Sequence, residues 1–183
     1  AMSAPAGNAA VAADKPHQPR LLVVMGVSGV GKTTIAMDLA KYFGWPFQEG
    51  DNLHPPENVA KMASGTPLTD EDRQPWLRKC HAWLGDHAQT GGVLTCSALK
   101  RTYRDMLRDG LPVVFVYLYA PTSVIQDRLV HRKGHYMPAS LLRSQLDTLE
   151  PPGADEPVIT IDSENGEAYS VDAVIAQLAV RPA

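Results

Sequence analysis

The run Gly26-Val-Ser-Gly-Val-Gly-Lys-Thr33 constrains the fold more than any other feature of the sequence. It has the Gly-x-x-x-x-Gly-Lys-Thr spacing of a phosphate-binding loop, and it lies between an apolar stretch and a helix-like stretch. The glycines let the backbone turn its N–H groups toward a phosphate, and the N-terminus of the next helix adds a positive dipole. We therefore predict that Lys32 contacts the phosphates of ATP and that the Thr33 hydroxyl coordinates Mg²⁺.

Length and composition predict a single domain. A chain of 183 residues with 44% hydrophobic residues is long enough for one core but too short for two ordinary domains. We assign residues 20–183 to that domain and residues 1–19 to a disordered tail without the regions of a secretory signal. The net charge of −3 gives no general attraction to nucleic acid or membranes, so we expect neither partner. Two cysteines without metal-ligand spacing fit a soluble protein of the reducing cytoplasm.

Short β-branched runs alternate with longer helical stretches, which predicts an α/β fold with a five-stranded parallel sheet and helices on both faces. The predicted strands span residues 21–25, 46–49, 93–96, 113–119 and 158–161. The predicted helices span residues 32–43, 55–63, 72–89, 99–108, 123–132, 139–149 and 168–178. Thr69 and Asp72 resemble a capping box, but Pro75 would then lie inside the helix, so a start near Gln74 is the alternative.

Polar residues follow the second predicted strand, where ligands of open α/β sheets gather. Asp51 is our candidate for the catalytic base, and it can also bind Mg²⁺ together with Thr33. The alternative is that Asp51 is a turn or capping residue. His54 is a candidate to hydrogen-bond a substrate hydroxyl, or it caps the loop. The third predicted strand ends Thr95-Cys96-Ser97 without the aspartate usual there in ATPases, so Mg²⁺ has few other candidate ligands.

Two basic clusters follow later strands. Counting along the helix after Ser97 places Lys100 and Arg104 on one face, where they can meet an anionic group of the phosphoryl acceptor, although a solvated basic face is the alternative. Arg128 and Arg132 lie one turn apart before Lys133-Gly-His-Tyr-Met137. This pattern predicts a cationic lid over ATP at about residues 132–138, with Arg132 as a catalytic charge, or else a basic helical hairpin.

The ordered set of motifs resembles the bacterial-type gluconokinases, a family of P-loop small-molecule kinases. The resemblance covers residues 21 to about 162. Its motifs are Met25-Gly-Val-Ser-Gly, Glu49-Gly-Asp-x-Leu-His-Pro55, Lys61-Met-Ala-Ser-Gly-x-Pro-Leu68, Asp70-x-Asp-Arg-x-Pro-Trp-Leu77, Cys96-Ser-Ala-Leu-Lys100 with Tyr103-Arg104, Arg132-Lys-Gly-His135, and Ser144-Gln145 with Thr148-Leu-Glu150-Pro.

The resemblance implies ATP- and Mg²⁺-dependent phosphorylation of the C6 hydroxyl of D-gluconate to 6-phospho-D-gluconate. It further implies a homodimer and a mobile substrate-covering segment at about residues 50–80. A shikimate-type or nucleoside monophosphate kinase is the alternative enzyme, and a nucleotide-binding regulator is the alternative outside enzymes. The implied nucleotide contacts are Gly26, Val27, Ser28, Gly29, Val30, Gly31, Lys32, Thr33, Thr34, Arg128 and Arg132. The implied substrate contacts are Asp51, His54, Lys61, Arg73, Ser97, Lys100, Arg104, His135 and Gln145.

Overall fold

Five parallel strands form one sheet in the order β2-β3-β1-β4-β5, which confirms the predicted sheet. The computed structural model describes residues 20–131 and 139–181, so the predicted tail and lid lie outside the described residues. The strands are β1 (Leu21–Met25), β2 (Phe47–Glu49), β3 (Gly92–Thr95), β4 (Val113–Tyr119) and β5 (Val158–Asp162). They agree with the predicted strands to within one residue at each end.

The described helices lie between and beyond these strands. They are α1 (Lys32–Phe43), α2 (Pro56–Ala63), α3 (Asp70–Asp86), α4 (Arg101–Arg108), α5 (Thr122–Val130), α6 (Ala139–Thr148) and α7 (Glu167–Ala179). Two 3₁₀ turns, Gly50–Leu53 and Ser163–Asn165, follow β2 and β5. Among the described helices, none has both the length and the apolar character that a membrane crossing requires.

Strand β1 is the centre of the core. All five of its side chains are fully buried, as expected for a continuous apolar run inside a parallel sheet. It pairs with β3 on one side and β4 on the other, in a register that places Val24 opposite Thr95 and Val116. Because all strands run in the same direction, the segments that follow them meet at one edge of the sheet. The phosphate-binding loop and the polar residues after β2 therefore lie at that edge.

Helix α3 begins at Asp70 rather than near Gln74. Thr69 Oγ1 accepts a hydrogen bond from the Asp72 N–H at 3.0 Å, and Asp72 Oδ2 accepts one from the Thr69 N–H at 2.9 Å. This reciprocal pair is a complete capping box. Pro75 lies inside the helix, and burial of the neighbouring Trp76 offsets the loss of its backbone donor.

Candidate active site

The phosphate-binding loop connects β1 to α1, and hydrogen bonds from the backbone of Gly26 and the side chain of Lys32 hold it. Gly26 has φ of 139°, and a Cβ atom there would lie 2.5 Å from the Leu118 carbonyl oxygen, so only glycine fits. Its N–H donates to the Ser97 carbonyl oxygen at 3.3 Å. Lys32 Nζ donates to the carbonyl oxygens of Gly26 at 2.8 Å and Val27 at 3.1 Å. Lys32 thus lies on the loop itself, and Ser97 supports the loop through its backbone.

Arg128 contacts the opposite side of the same loop. Its Nη1 donates to the carbonyl oxygens of Gly29 at 3.3 Å and Val30 at 3.4 Å, and its Nη2 donates to the Ser163 carbonyl oxygen at 2.7 Å. In a trans peptide the carbonyl and the following N–H point in opposite directions. The N–H groups of Val30 and Gly31 therefore point away from Arg128. The structure gives Arg128 the role of orienting the loop, and its contact with nucleotide stays a prediction.

Gln145 contacts the phosphate-binding loop, and its contact with substrate stays a prediction. Its Oε1 accepts a hydrogen bond from the Ser28 N–H at 2.8 Å. Helix α6, which carries Gln145, follows the segment of the predicted lid, so this bond joins that helix to the loop. The side chains of Val27 and Val30 are buried, whereas Thr34 is exposed in the first turn of α1. The two valines thus offer a nucleotide only their backbone.

Glu49 is the functional candidate that the sequence reasoning missed. Its Oε2 accepts a hydrogen bond from Thr33 Oγ1 at 2.8 Å, and its Oε1 accepts one from Thr95 Oγ1 at 2.6 Å. The carboxylate that contacts Thr33 is therefore Glu49, whereas Asp51 lies in the following 3₁₀ turn and is exposed. The position of Glu49 as the last residue of β2 was the available signal, because strand ends meet at the ligand-binding edge.

His54 is held as a neutral ring with a defined tautomer. The ring stacks on Trp76 with centroids 4.1 Å apart, and its Nδ1 lies 3.2 Å from Asn58 Nδ2. Asn58 Nδ2 also donates to the Asp72 carbonyl oxygen at 2.8 Å, which identifies that atom as the amide NH₂ group. His54 Nδ1 must then accept, so the ring proton is on Nε2. Burial, and then the charge of Arg73, lower the pKa of His54 to about 4.

Arg104 does not lie on the exposed basic face that the sequence predicts. The side chain is fully buried, and its Nε donates to the Glu156 carboxylate at 2.7 Å. Its other nitrogens donate to the carbonyl oxygens of Ala98 and Glu150. Burial opposes ionisation of Glu156, but hydrogen bonds from Arg104 and the Gly153 N–H outweigh it and leave the pKa lowered. The guanidinium is therefore occupied within the protein and is not available as a substrate contact.

Two of the other predicted cations also have carboxylate partners. Lys61 Nζ lies 2.6 Å from Asp72 Oδ2, and Lys100 Nζ lies 3.0 Å from Asp70 Oδ1. Both carboxylates belong to the first turn of α3. An anionic substrate would have to compete with these carboxylates for either lysine.

Arg73 differs from these lysines, because its side chain donates to a neutral hydroxyl. Its Nη1 donates to the Tyr103 hydroxyl at 2.9 Å, and its guanidinium lies 5.3 Å from the centre of that ring. The Tyr103 hydroxyl in turn donates to Asp70. Among the residues that the structure describes, no carboxylate forms an ion pair with Arg73. Its charge lowers the pKa of both His54 and Asp70, and it lies one helical turn before Trp76, on which His54 stacks; we call Arg73 and His54 the acceptor-side cluster.

A parallel sheet with a phosphate-binding loop after its central strand, and with Thr33 and Glu49 paired at the end of that loop, is typical of P-loop nucleotide-binding proteins, to which the P-loop kinases belong. The family model described as shikimate kinase matches residues 28–170. The gluconokinase of Gluconobacter oxydans (strain 621H) is 61% identical over 150 residues, covering 80% of this chain and 84% of that protein. The thermoresistant gluconokinase of Escherichia coli (strain K12) is 44% identical over 80% of this chain and 86% of that protein.

Solved structures agree with these relatives. The crystal structure of a gluconokinase from Sinorhizobium meliloti 1021 matches with a TM-score of 0.80 at 46% identity, covering 89% of this chain and 93% of that one. The chain belongs to the gluconokinase family, which confirms the resemblance seen in the sequence. Arg132 and His135, the remaining predicted site residues, lie outside the described residues.

Proposed function

We propose that the protein transfers the γ-phosphoryl group of ATP to the C6 hydroxyl of D-gluconate, giving 6-phospho-D-gluconate and ADP. Membership of the gluconokinase family supports this reaction. The observation that carries it is the acceptor-side cluster, in which the Arg73 cation has no carboxylate partner among the described residues and lies near the neutral donor His54. A sugar acid offers the matching groups, because it has one carboxylate and a row of hydroxyls.

On the donor side, the N–H groups of the phosphate-binding loop and Lys32 are suited to bind phosphate oxygens. Thr33 and Glu49 fit Mg²⁺, because they bring a hydroxyl and a carboxylate oxygen together at 2.8 Å. Within the described part of the chain, no group of three or more His, Cys, Asp or Glu side chains is arranged to hold a metal. Phosphate oxygens and water are therefore needed as further ligands. When bound, the metal neutralises charge on the phosphates.

On the acceptor side, Arg73 holds the gluconate carboxylate and His54 Nε2–H donates to a hydroxyl of the chain. Asp51 accepts the proton of the attacking C6 hydroxyl, because a carboxylate just after β2 lies at the same edge of the sheet as the phosphate-binding loop. Arg132 belongs to the family motif Arg132-Lys-Gly-His135, and its positive charge stabilises the phosphoryl group during transfer. Ser97, Lys61, Lys100 and His135 stay predicted substrate contacts.

The test is an assay of ADP release with Mg-ATP and a panel of acceptors that includes D-gluconate, other sugar acids and shikimate. We expect turnover with D-gluconate and a phosphorus NMR signal of a primary phosphate ester in the product. Turnover with shikimate but not gluconate would assign the chain to the alternative kinase that its family model names. Gluconate binding without product would instead indicate a nucleotide-dependent regulator.

We further propose that the protein is a cytoplasmic homodimer, as its family resemblance implies. Sedimentation velocity with and without ligands tests the oligomeric state. A single monomer species across the concentration range of the assay would exclude the dimer.

A further inference from the structure

The contact between Thr33 and Glu49 depends on a third residue, Thr95. Glu49 and Thr95 are direct register partners at the ends of the parallel strands β2 and β3. Thr95 Oγ1 lies 2.6 Å from Glu49 Oε1, and the Gly50 N–H lies 3.0 Å from the same hydroxyl oxygen. Since the N–H can only donate, the hydroxyl accepts from Gly50 and directs its own proton to Glu49. The Thr95 hydroxyl therefore has a fixed orientation.

The backbone around Glu49 is fixed as tightly as the hydroxyl. A Cβ atom on Gly50 would lie 1.9 Å from the Thr95 carbonyl oxygen, so the close approach of the two strand ends requires glycine. On the other side, Trp76 Nε1 donates to the Gly50 carbonyl oxygen at 2.8 Å. Thr95 is 2% exposed and Trp76 is 1% exposed, so solvent has little access to these bonds. Glu49 is thus held against Thr33 by a buried frame.

We infer that Thr95 is a positioning residue of the metal site, which aims the Glu49 carboxylate at the Thr33 hydroxyl. In this chain β3 ends in a hydroxyl where many ATPases carry a metal-binding aspartate. The carboxylate comes instead from the neighbouring strand β2, and Thr95 orients it. Groups that orient metal ligands commonly change metal affinity by about 10- to 100-fold when they are removed. The inference rests on the proposal that Mg-ATP is the phosphoryl donor.

The test measures Mg²⁺ binding rather than turnover. The dissociation constant of ADP is determined by calorimetry in EDTA and in excess Mg²⁺, for the wild type and for Thr95→Val. Valine keeps the shape of threonine but removes the hydroxyl. We expect the ADP affinity in EDTA to stay close to that of the wild type, and the gain from Mg²⁺ to fall by about 10-fold or more. Thr95→Ser restores the hydroxyl and is expected to restore the gain.

The Glu49→Gln variant gives a second test, which does not depend on whether Thr95→Val is stable. If Thr95 acts through Glu49, the double variant should lose no more of the Mg²⁺ gain than Glu49→Gln alone. An unchanged Mg²⁺ gain in Thr95→Val, or an equal loss of ADP affinity in EDTA, would overturn the inference. If Thr95→Val does not fold, Thr95→Ala, which also lacks the hydroxyl, replaces it: loss of the Mg²⁺ gain would support the inference, and an unchanged gain would overturn it.

The result is separable from the proposed reaction, because gluconate is absent from the titrations. A wild type whose ADP affinity is insensitive to Mg²⁺ would remove the metal site and this inference together. A normal metal response in the wild type alongside failed gluconate turnover would leave the role of Thr95 standing and refute the proposed function.

Discussion

Replacing Arg73 by Gln tests which cation binds the gluconate carboxylate. In the structure its guanidinium donates to the Tyr103 hydroxyl at 2.9 Å and forms no ion pair with a carboxylate of the described residues, although its charge also acts on Asp70. A hydrogen bond to a charged group contributes about 1.5–3 kcal/mol. Its loss should weaken D-gluconate binding by about 10- to 150-fold. D-Glucitol, the matching polyol without a carboxylate, should bind the variant about as weakly as it binds the wild type. The measured quantity is the ratio of the two dissociation constants.

Two control variants separate the charge of Arg73 from its structural contact. Tyr103→Phe removes the hydrogen bond to Arg73 but keeps the guanidinium, and Lys100→Gln removes a charge that Asp70 already pairs at 3.0 Å. Because Arg73 rather than Lys100 is proposed to hold the carboxylate, both variants should keep the ratio of the two dissociation constants within about twofold of the wild type. The reasoning is refuted if Arg73→Gln weakens both ligands equally, or if Lys100→Gln causes the larger loss of preference.

Three further predictions concern the base, the buried ion pair and pH. Asp51→Asn should lower kcat by about 100-fold or more with little change in Mg-ADP affinity, because a general base contributes about 10²–10⁴ in rate; an equal loss of affinity would make Asp51 a metal ligand. Arg104→Met leaves the Glu156 carboxylate buried without its partner, so the free energy of unfolding in urea should fall by about 3–5 kcal/mol, and an unchanged value would contradict the pairing. Burial, and then the charge of Arg73, lower the pKa of His54 from 6.5 to about 4, so between these values the folded state binds fewer protons than the unfolded state. Stability is therefore lost as the pH falls through that window, and the Tm of His54→Gln should fall less steeply there than that of the wild type.

Local signals in the sequence were sufficient for the main elements of the fold. The phosphate-binding loop can be recognised from its specific spacing. The apolar run before it can then be assigned to β1, because a buried strand must precede such a loop. The capping box of α3 was visible as well, but Pro75 argued against it in the sequence. In the structure the reciprocal bonds of Thr69 and Asp72 fix the helix start at Asp70. The specific cap and the burial of Trp76 therefore outweigh the low helix propensity of Pro75.

The errors at the site arose where a partner is distant in sequence. Helical periodicity placed Arg104 on an exposed basic face, because nothing local shows that Glu156, 52 residues later, is buried beside it. Similarly, the contact of Glu49 with Thr33 depends on β2 lying beside β3, with Glu49 in register with Thr95, and the predicted end of β2 was the local signal for it. Strand order and side-chain pairing are tertiary properties, and a single sequence records them only weakly.

Asp72, in the first turn of α3, contributes both to the cap of that helix and to the contacts that hold His54 in the acceptor-side cluster. One carboxylate oxygen, Oδ2, caps the helix by accepting from the Thr69 N–H, and it also binds Lys61 at 2.6 Å. The carbonyl of the same residue fixes the amide of Asn58, which sets the tautomer of His54. Asp72→Asn should therefore do more than weaken a cap, because it removes the charge opposite Lys61 while leaving the backbone contact to Asn58. A nitrogen NMR spectrum that still shows the Nε2–H tautomer of His54 in this variant would assign the orientation of the ring to the backbone of α3 rather than to its charge.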